Sequence, residues 1–188
     1  MKRMAVAEWM FIGISVIWIG EFIFFRNRGV GEGDPYEKKS FYYILAALGA
    51  TIAAALLLQE IGTGTEIGQF MRWTGLVLFA MGVFLRFWGI LHLKSQFTRH
   101  VTVREGDEIV SSGPYRMLRH PLYTALLLIG IGMALFCTSL IAAILGGALV
   151  TWTLLKRIRY EEELLIEKFG PAYAEWMKKR ARLVPFIY

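Results

Sequence analysis

Leu122 to Leu155 is a run of 34 residues without one charged side chain. As a single helix it would be about 51 Å long, against a bilayer hydrocarbon core of about 30 Å. The run therefore has to fold back on itself. Folding it at Cys137-Thr138-Ser139 gives two short spans, 122–136 and 140–157, joined by a very tight turn. Three more apolar segments, at about 5–25, 41–58 and 71–93, bring the count to five. Hydrophobic residues make up 56% of the chain and charged residues only 19%, too few to cover a soluble surface. The expectation is one all-α integral membrane domain over residues 1–188. It is a compact bundle of about five transmembrane helices, with cytosolic C-terminal helices over about 158–180.

The formal net charge of +6 would suit nucleic acid in a soluble domain. Here the basic residues flank apolar segments, so topology and anionic lipid headgroups account for them, and no nucleic-acid partner is expected. With five spans, one side of the membrane holds Lys2 and Arg3, with Arg72 at its border. The other side holds Arg26, Arg28, Lys38, Lys39, Lys94, Arg99, Arg104, Arg116, Arg119 and the basic C-terminal region. The positive-inside rule makes that second side cytoplasmic, in a multi-pass membrane protein that would sit in the plasma membrane of a prokaryote. A lone cysteine, Cys137, rules out a multi-cysteine metal site, and no metal is expected. The first apolar stretch, Trp9 to Phe25, is too long for a signal core and lacks a small-residue cleavage site, so it reads as a retained span.

Few polar residues interrupt the spans. Glu21 lies near the end of the first, close to Arg26, which predicts a pairing or interfacial role. Gly29, Gly31 and Gly33 follow no strand and precede no Gly-Lys-Ser/Thr, so they form a connection rather than a phosphate loop. Gly49 and Ala53, like Ala46 and Ala50, stand four apart and would let the second span pack closely. Arg86 lies about 21 Å along the third span from Arg72. It is either a snorkelling arginine or a cation facing the bundle interior.

Between the third and fourth spans lies a polar, basic hinge, Ser112 to Tyr123. Beyond the uncharged run comes Arg157 and then Glu161-Glu162-Glu163. On a helical wheel Ile158, Leu165, Ile166 and Phe169 share one apolar face, with Glu162 in its middle, Glu161 on its edge and Glu163 pointing away. A carboxylate on a packed face needs donors or a cation. Arg157 and Glu161, four apart, could be an ordinary helix ion pair, or part of a site shared with Arg119 and His120. Gly170-Pro171 ends this helix, and Ala172 to Arg180 reads as a surface helix turning Tyr173, Trp176 and Met177 toward lipid or protein.

These residues resemble the isoprenylcysteine carboxyl methyltransferase family and its phospholipid methyltransferase relatives. The resemblance rests on Gly113-Pro114-Tyr115-Arg116, Arg119-His120-Pro121-x-Tyr123, the hydrophobic hairpin, Arg157-x-x-x-Glu161-Glu162-x-x-Leu165, Phe169-Gly170-x-x-Tyr173 and Arg182-Leu183-x-Pro185. It covers Arg86 onward; where the family commonly has tryptophan after the third span, this chain has Phe97. It implies an S-adenosylmethionine-dependent methyltransferase with a lipophilic or prenylated acceptor. By the same resemblance Tyr115, Arg119, His120, Pro121 and Tyr123 would belong to the cofactor pocket. Glu162 would hold the cofactor's ribose or amino group, Glu161 would support that shell, and Arg157 would face the methyl acceptor.

Methyl transfer from a sulfonium demands positioning above all. A carboxylate acceptor is already nucleophilic and needs a cation to orient it, for which Arg157 is the first candidate and Arg86 the second. An amine acceptor, as in a phospholipid headgroup, would need a base such as His120 or Glu161. The third reading is a non-enzymatic membrane scaffold in which the hinge merely caps helices.

Overall fold

A computed structural model describes residues 6–25, 35–97 and 106–184. Arg26, Arg28, Arg99, Arg104 and Pro185, used above, lie outside the described residues. Among the described residues six α-helices follow in order: α1 (Val6–Phe24), α2 (Pro35–Leu58), α3 (Glu66–Leu93), α4 (Pro121–Phe136), α5 (Leu140–Phe169) and α6 (Pro171–Lys178). Short 3-10 turns occupy Lys94–Gln96 and Gly113–Arg116. The protein is an all-helical membrane protein. Among the described residues four helices are long and apolar enough to cross a bilayer, in α1, α2, α3 and α5, while the apolar α4 is shorter.

Helix α3 starts five residues before the expected 71 because Thr65 caps it: its Oγ1 accepts from the Gly68 N–H at 3.0 Å. The expected turn at Cys137-Thr138-Ser139 is present. So tight a connection puts Thr138 in the left-handed region (φ 59°), and Ser139 caps α5 by accepting from Ala142 N–H at 3.2 Å. Glu60, from the α2–α3 connection, braces the turn by accepting from Ser139 Oγ (2.8 Å) and Leu140 N–H (2.9 Å).

The fifth span and the first cytosolic helix are one element rather than two. No Gly-Pro break falls between Leu140 and Phe169, so α5 runs for 30 residues, about 45 Å, while α4 has 16, about 24 Å. The C-terminal turns of α5 therefore overshoot α4, and Arg157, Glu161 and Glu162 stand beside the start of α4. Within that segment Ile158 and Glu162 are buried, but Ile166 is exposed, contrary to the wheel.

Close helix approach also lies elsewhere than expected. Gly49, Ala46, Ala50 and Ala53 are exposed, and α2 meets α5 instead by setting Thr51 against Gly146. The tightest pair is α3 with α4. A Cβ on Gly132 would sit 2.6 Å from Phe79 N and 2.8 Å from Gly75 O, so the backbones touch there. Helix α1 packs on α3, where Phe11, Ile14 and Trp18 cover a core of Phe79, Val83 and Ile129. Two ion pairs pin it, Glu8–Arg72 at 3.1 Å near one end and Glu21–Arg86 near the other. Glu21 therefore has the pairing role, fully buried against α3 with Arg86 as its partner.

Candidate active site

Pro121 opens α4 at a position where its missing N–H is no loss, and it holds His120 in a non-helical conformation just before the helix. The hinge is then fixed by the C-terminal tail. Arg119 N–H donates to Ala181 O (2.8 Å) and Ala181 N–H to Met117 O (3.0 Å). Arg180 Nε donates to Tyr115 O (2.7 Å), and Thr124 Oγ1 to Leu183 O (2.7 Å). Gly113 turns the chain tightly at φ 56°; a Cβ there would meet the His92 ring at 2.5 Å.

Two carboxylates of α5 face this clipped hinge, and they do different things. Glu162 accepts from Arg119 Nη1 at 2.7 Å and from Arg182 Nη2 at 2.8 Å, with His120 Nε2 at 3.3 Å. Its side chain is only 5% exposed, so it ties hinge, tail and α5 together from behind. Glu161 lies on the other side of His120, whose Nδ1 is 3.9 Å from its Oε1. Its Oε2 accepts from Tyr123 OH at 2.6 Å, and Tyr123 OH in turn accepts from Arg157 Nε at 2.9 Å. Arg157 Nη1 also donates to Ser40 Oγ on α2 at 2.9 Å.

A cavity of about 400 Å³ opens in front of this network. At one end stand Tyr115, Arg119, His120, Pro121, Tyr123, Glu161, Tyr173 and Trp176. From there it continues into an apolar arm between Trp18 and Phe22 of α1 and Ile44, Leu48 and Ile52 of α2. Arg86 and Arg157 both line it. Eight of the nine site residues named from the sequence thus share one wall, and the exception is Glu162. The oxygens of Glu162 are engaged by Arg119, His120 and Arg182, and it is not among the residues lining the cavity.

Sequence reasoning missed three contributors. Tyr173, expected to face lipid or protein, is buried in the cavity wall, stacked on Trp176 at 5.3 Å. Burial, then the negative charges of Glu161 and Glu162, push its phenol up; burial and Glu161 do the same to Tyr115. Ser40 lies on α2, where its hydroxyl accepts from Arg157 Nη1. Glu21 holds Arg86 through both carboxylate oxygens, accepting from Nε and, at 2.8 Å, from Nη2. Its signal was present, a carboxylate in an apolar helix, but the partner is 65 residues away. The same pair decides the reading of Arg86, which faces the bundle interior.

The polar end fits a group such as S-adenosylmethionine on its chemistry. A carboxylate beside phenol and imidazole faces suits a cationic ligand carrying hydroxyls and an aromatic ring. The volume is within the range of small-molecule sites.

Residues 73–167 match the family model of the isoprenylcysteine carboxyl methyltransferase family. The chain is 28% identical over 189 residues to a probable protein-S-isoprenylcysteine O-methyltransferase of Oryza sativa subsp. indica, covering 95% of this chain and 96% of that protein. It is 31% identical over 146 residues to protein-S-isoprenylcysteine O-methyltransferase A of Arabidopsis thaliana, 72% of this chain and 74% of the relative. Against the Xenopus laevis protein-S-isoprenylcysteine O-methyltransferase it is 35% identical over 154 residues, 79% of this chain and 52% of that one.

Proposed function

We infer that this chain, which belongs to the isoprenylcysteine carboxyl methyltransferase family and is a methyltransferase, esterifies the carboxylate of a lipophilic, isoprenylcysteine-like acceptor with a methyl group from S-adenosylmethionine. One observation carries the reading: a single cavity joins a polar end at the hinge to an apolar arm between α1 and α2, with two arginines on its wall. A prenyl chain suits the arm, a cationic nucleoside suits the polar end, and a carboxylate suits the arginines.

When bound, S-adenosylmethionine supplies an electrophilic methyl group on a sulfonium, open to in-line displacement. Tyr115, His120, Tyr123, Tyr173 and Trp176 would enclose the nucleoside, and Arg119 and Pro121 would shape its floor. Glu161 would offset the positive charge while Tyr123 holds it in place. Arg157, fixed by Tyr123 and Ser40, would orient the acceptor carboxylate, with Arg86 as a second cation. A carboxylate needs no general base, so no proton has to move. The hinge and the C-terminal turns of α5 would lie on the cytoplasmic face of a multi-pass protein of about five spans, where the donor is available. Glu162 would act on the cofactor indirectly, by fixing the hinge.

The test is calorimetric titration of S-adenosylmethionine into detergent-solubilised protein. Micromolar-range binding that Glu161→Gln and Tyr123→Phe each weaken about tenfold is expected, the loss of one charge-assisted contact. Failure of the unmodified protein to bind the donor would remove the reading.

A further inference from the structure

We propose that Glu21 is a positioning residue for the methyl acceptor: by gripping Arg86 from the side, it aims the outer edge of that guanidinium into the cavity, ready to take both oxygens of an acceptor carboxylate. The inference rests on the carboxyl-methylation reading above. Phe11, Ile14, Trp18 and Glu21 recur at helical spacing on α1, and the first three cover Phe79, Val83 and Ile129. Glu21 is the last member of that stripe and meets Arg86, which follows Val83 by about one turn of α3. Edge-on ring contacts flank the position, Trp18 on Phe79 before it and Phe25 on Phe87 after it, and Glu21 has no exposed surface. The grip on Arg86 is side-on, with Glu21 accepting from Nε and, at 2.8 Å, from Nη2. Those bonds use the Nε–H and one N–H of Nη2; Nη1 and the second N–H of Nη2 remain as a complete outer fork. Among the described residues Nη1 has no acceptor, yet it keeps accessible surface, and the cavity is the open space that Arg86 lines.

Stability alone does not account for this pair. Replacing a buried ion pair by apolar side chains is often neutral or stabilising, and Glu8–Arg72 already pins α1 to α3, 13 residues earlier on α1. An arginine on a cavity wall, by contrast, must be held in one orientation before a carboxylate arrives, and its charge needs a partner while the site is empty. Glu21 does both. The open fork then takes the acceptor through two parallel hydrogen bonds, and each bound oxygen keeps a second lone pair. In the step itself one carboxylate oxygen forms the new C–O bond, the methyl C–S bond breaks, and its electron pair stays on sulfur. Carboxylate and sulfonium become ester and thioether, and no proton is exchanged. Because Glu21 and Arg86 are together neutral, the charges of this pair, the acceptor and the donor cancel before the step and again after it. The fork that holds a carboxylate has no anion to hold in the ester.

The test compares two ligands that differ only at the acceptor group, a farnesylated N-acetylcysteine with a free carboxylate and its neutral carboxamide. Each is titrated into detergent-solubilised protein holding S-adenosylhomocysteine, the demethylated donor, so that nothing turns over. The unmodified protein is expected to prefer the carboxylate at least about tenfold, the contribution of a charge-assisted grip. In Glu21→Gln that preference should fall at least about fivefold through weaker carboxylate binding, with carboxamide affinity within about twofold of the unmodified protein. Glu8→Gln, whose ion pair does not line the cavity, should keep the preference. A role in helix docking alone would weaken both ligands alike, so equal losses in Glu21→Gln, or an unchanged preference, would overturn the proposal. Should Glu21→Gln fail to accumulate, Glu21→Asp keeps the charge but falls one methylene short of Arg86. A preference at least about threefold lower is expected there, and an unchanged one would overturn the proposal. So would an unmodified protein that methylates the carboxylate without preferring it to the carboxamide. An unmodified protein that methylates no carboxyl acceptor refutes the parent reading instead, a separate and recognisable outcome.

Discussion

Replacing Glu162 with glutamine keeps the side chain's shape and removes its charge. In the structure that charge faces Arg119 and Arg182, whose side chains are 15% and 18% exposed, and His120 at 3%. Neutralising it leaves cations crowded around an amide that can accept from one of them and must point its own donors at another. Removing one partner of a buried pair costs about 3–5 kcal/mol. Partial access of water to both arginines and the retained carbonyl acceptor place this variant near the lower end, about 3 kcal/mol. At roughly 2–4 °C per kcal/mol for a chain of this size, the midpoint of unfolding should fall by roughly 6–12 °C. Thermal unfolding in detergent, followed by circular dichroism, measures it. Glu163→Gln, one position along and exposed, is the control and should stay within about 2 °C. Donor affinity should fall with stability, because the hinge that carries His120 and Tyr115 loses its anchor. A Glu162→Gln midpoint indistinguishable from Glu163→Gln would refute the reasoning.

Glu161→Gln should do the opposite, lowering turnover with little loss of stability, since Glu161 is a quarter exposed and faces the cavity; kinetics and melting on one preparation check this. Gly132→Ala should destabilise by about 1–3 kcal/mol, because its methyl would collide with the α3 backbone at Phe79 and Gly75, and denaturant unfolding reads it. Leu48→Trp, in the apolar arm, should raise KM several-fold for a long-chain prenyl acceptor and leave a short-chain analogue unaffected, as paired kinetics would show. Tyr115 and Tyr173 both have phenols raised above their ordinary value of 10.0 by burial. Each keeps its proton in the folded state after the unfolded chain has begun to lose it, so stability present below about pH 10 should be lost as pH rises further. Midpoints collected from pH 8 to 11 test that, and Tyr173→Phe should flatten the decline.

Much of this arrangement was legible in the chain because it is local. The 34-residue uncharged run forces a hairpin, and Pro121 and Gly170-Pro171 mark where α4 starts and α5 ends. Spacing on a helix separates Glu161, Glu162 and Glu163, and the structure keeps them separate. What the chain does not display is which partner each polar residue finds across the bundle. Glu162 was recognisable as a buried carboxylate, but its pairing with Arg182, a tail residue, was not. Glu21 and Arg86 meet only because α1 docks on α3, and no short-range pattern encodes that docking. The small residues of α2 show the same limit: Gly49 and Ala53 have the spacing of a packing motif, yet the helix is rotated to bring Thr51 to Gly146. Periodicity defines a face, and the neighbour's shape decides which face is used.

The central claim is that the acceptor atom is a carboxylate oxygen. The direct measurement is product analysis after incubating proteoliposomes of the protein with methyl-labelled S-adenosylmethionine and a farnesylated cysteine analogue. A methyl ester forms a base-labile label, released as methanol by alkali, whereas an N-methyl group survives. The account predicts base-labile label on the prenylcysteine, lost in Arg157→Ala. Base-stable label in phospholipid headgroups, with none on the prenylcysteine, would contradict it.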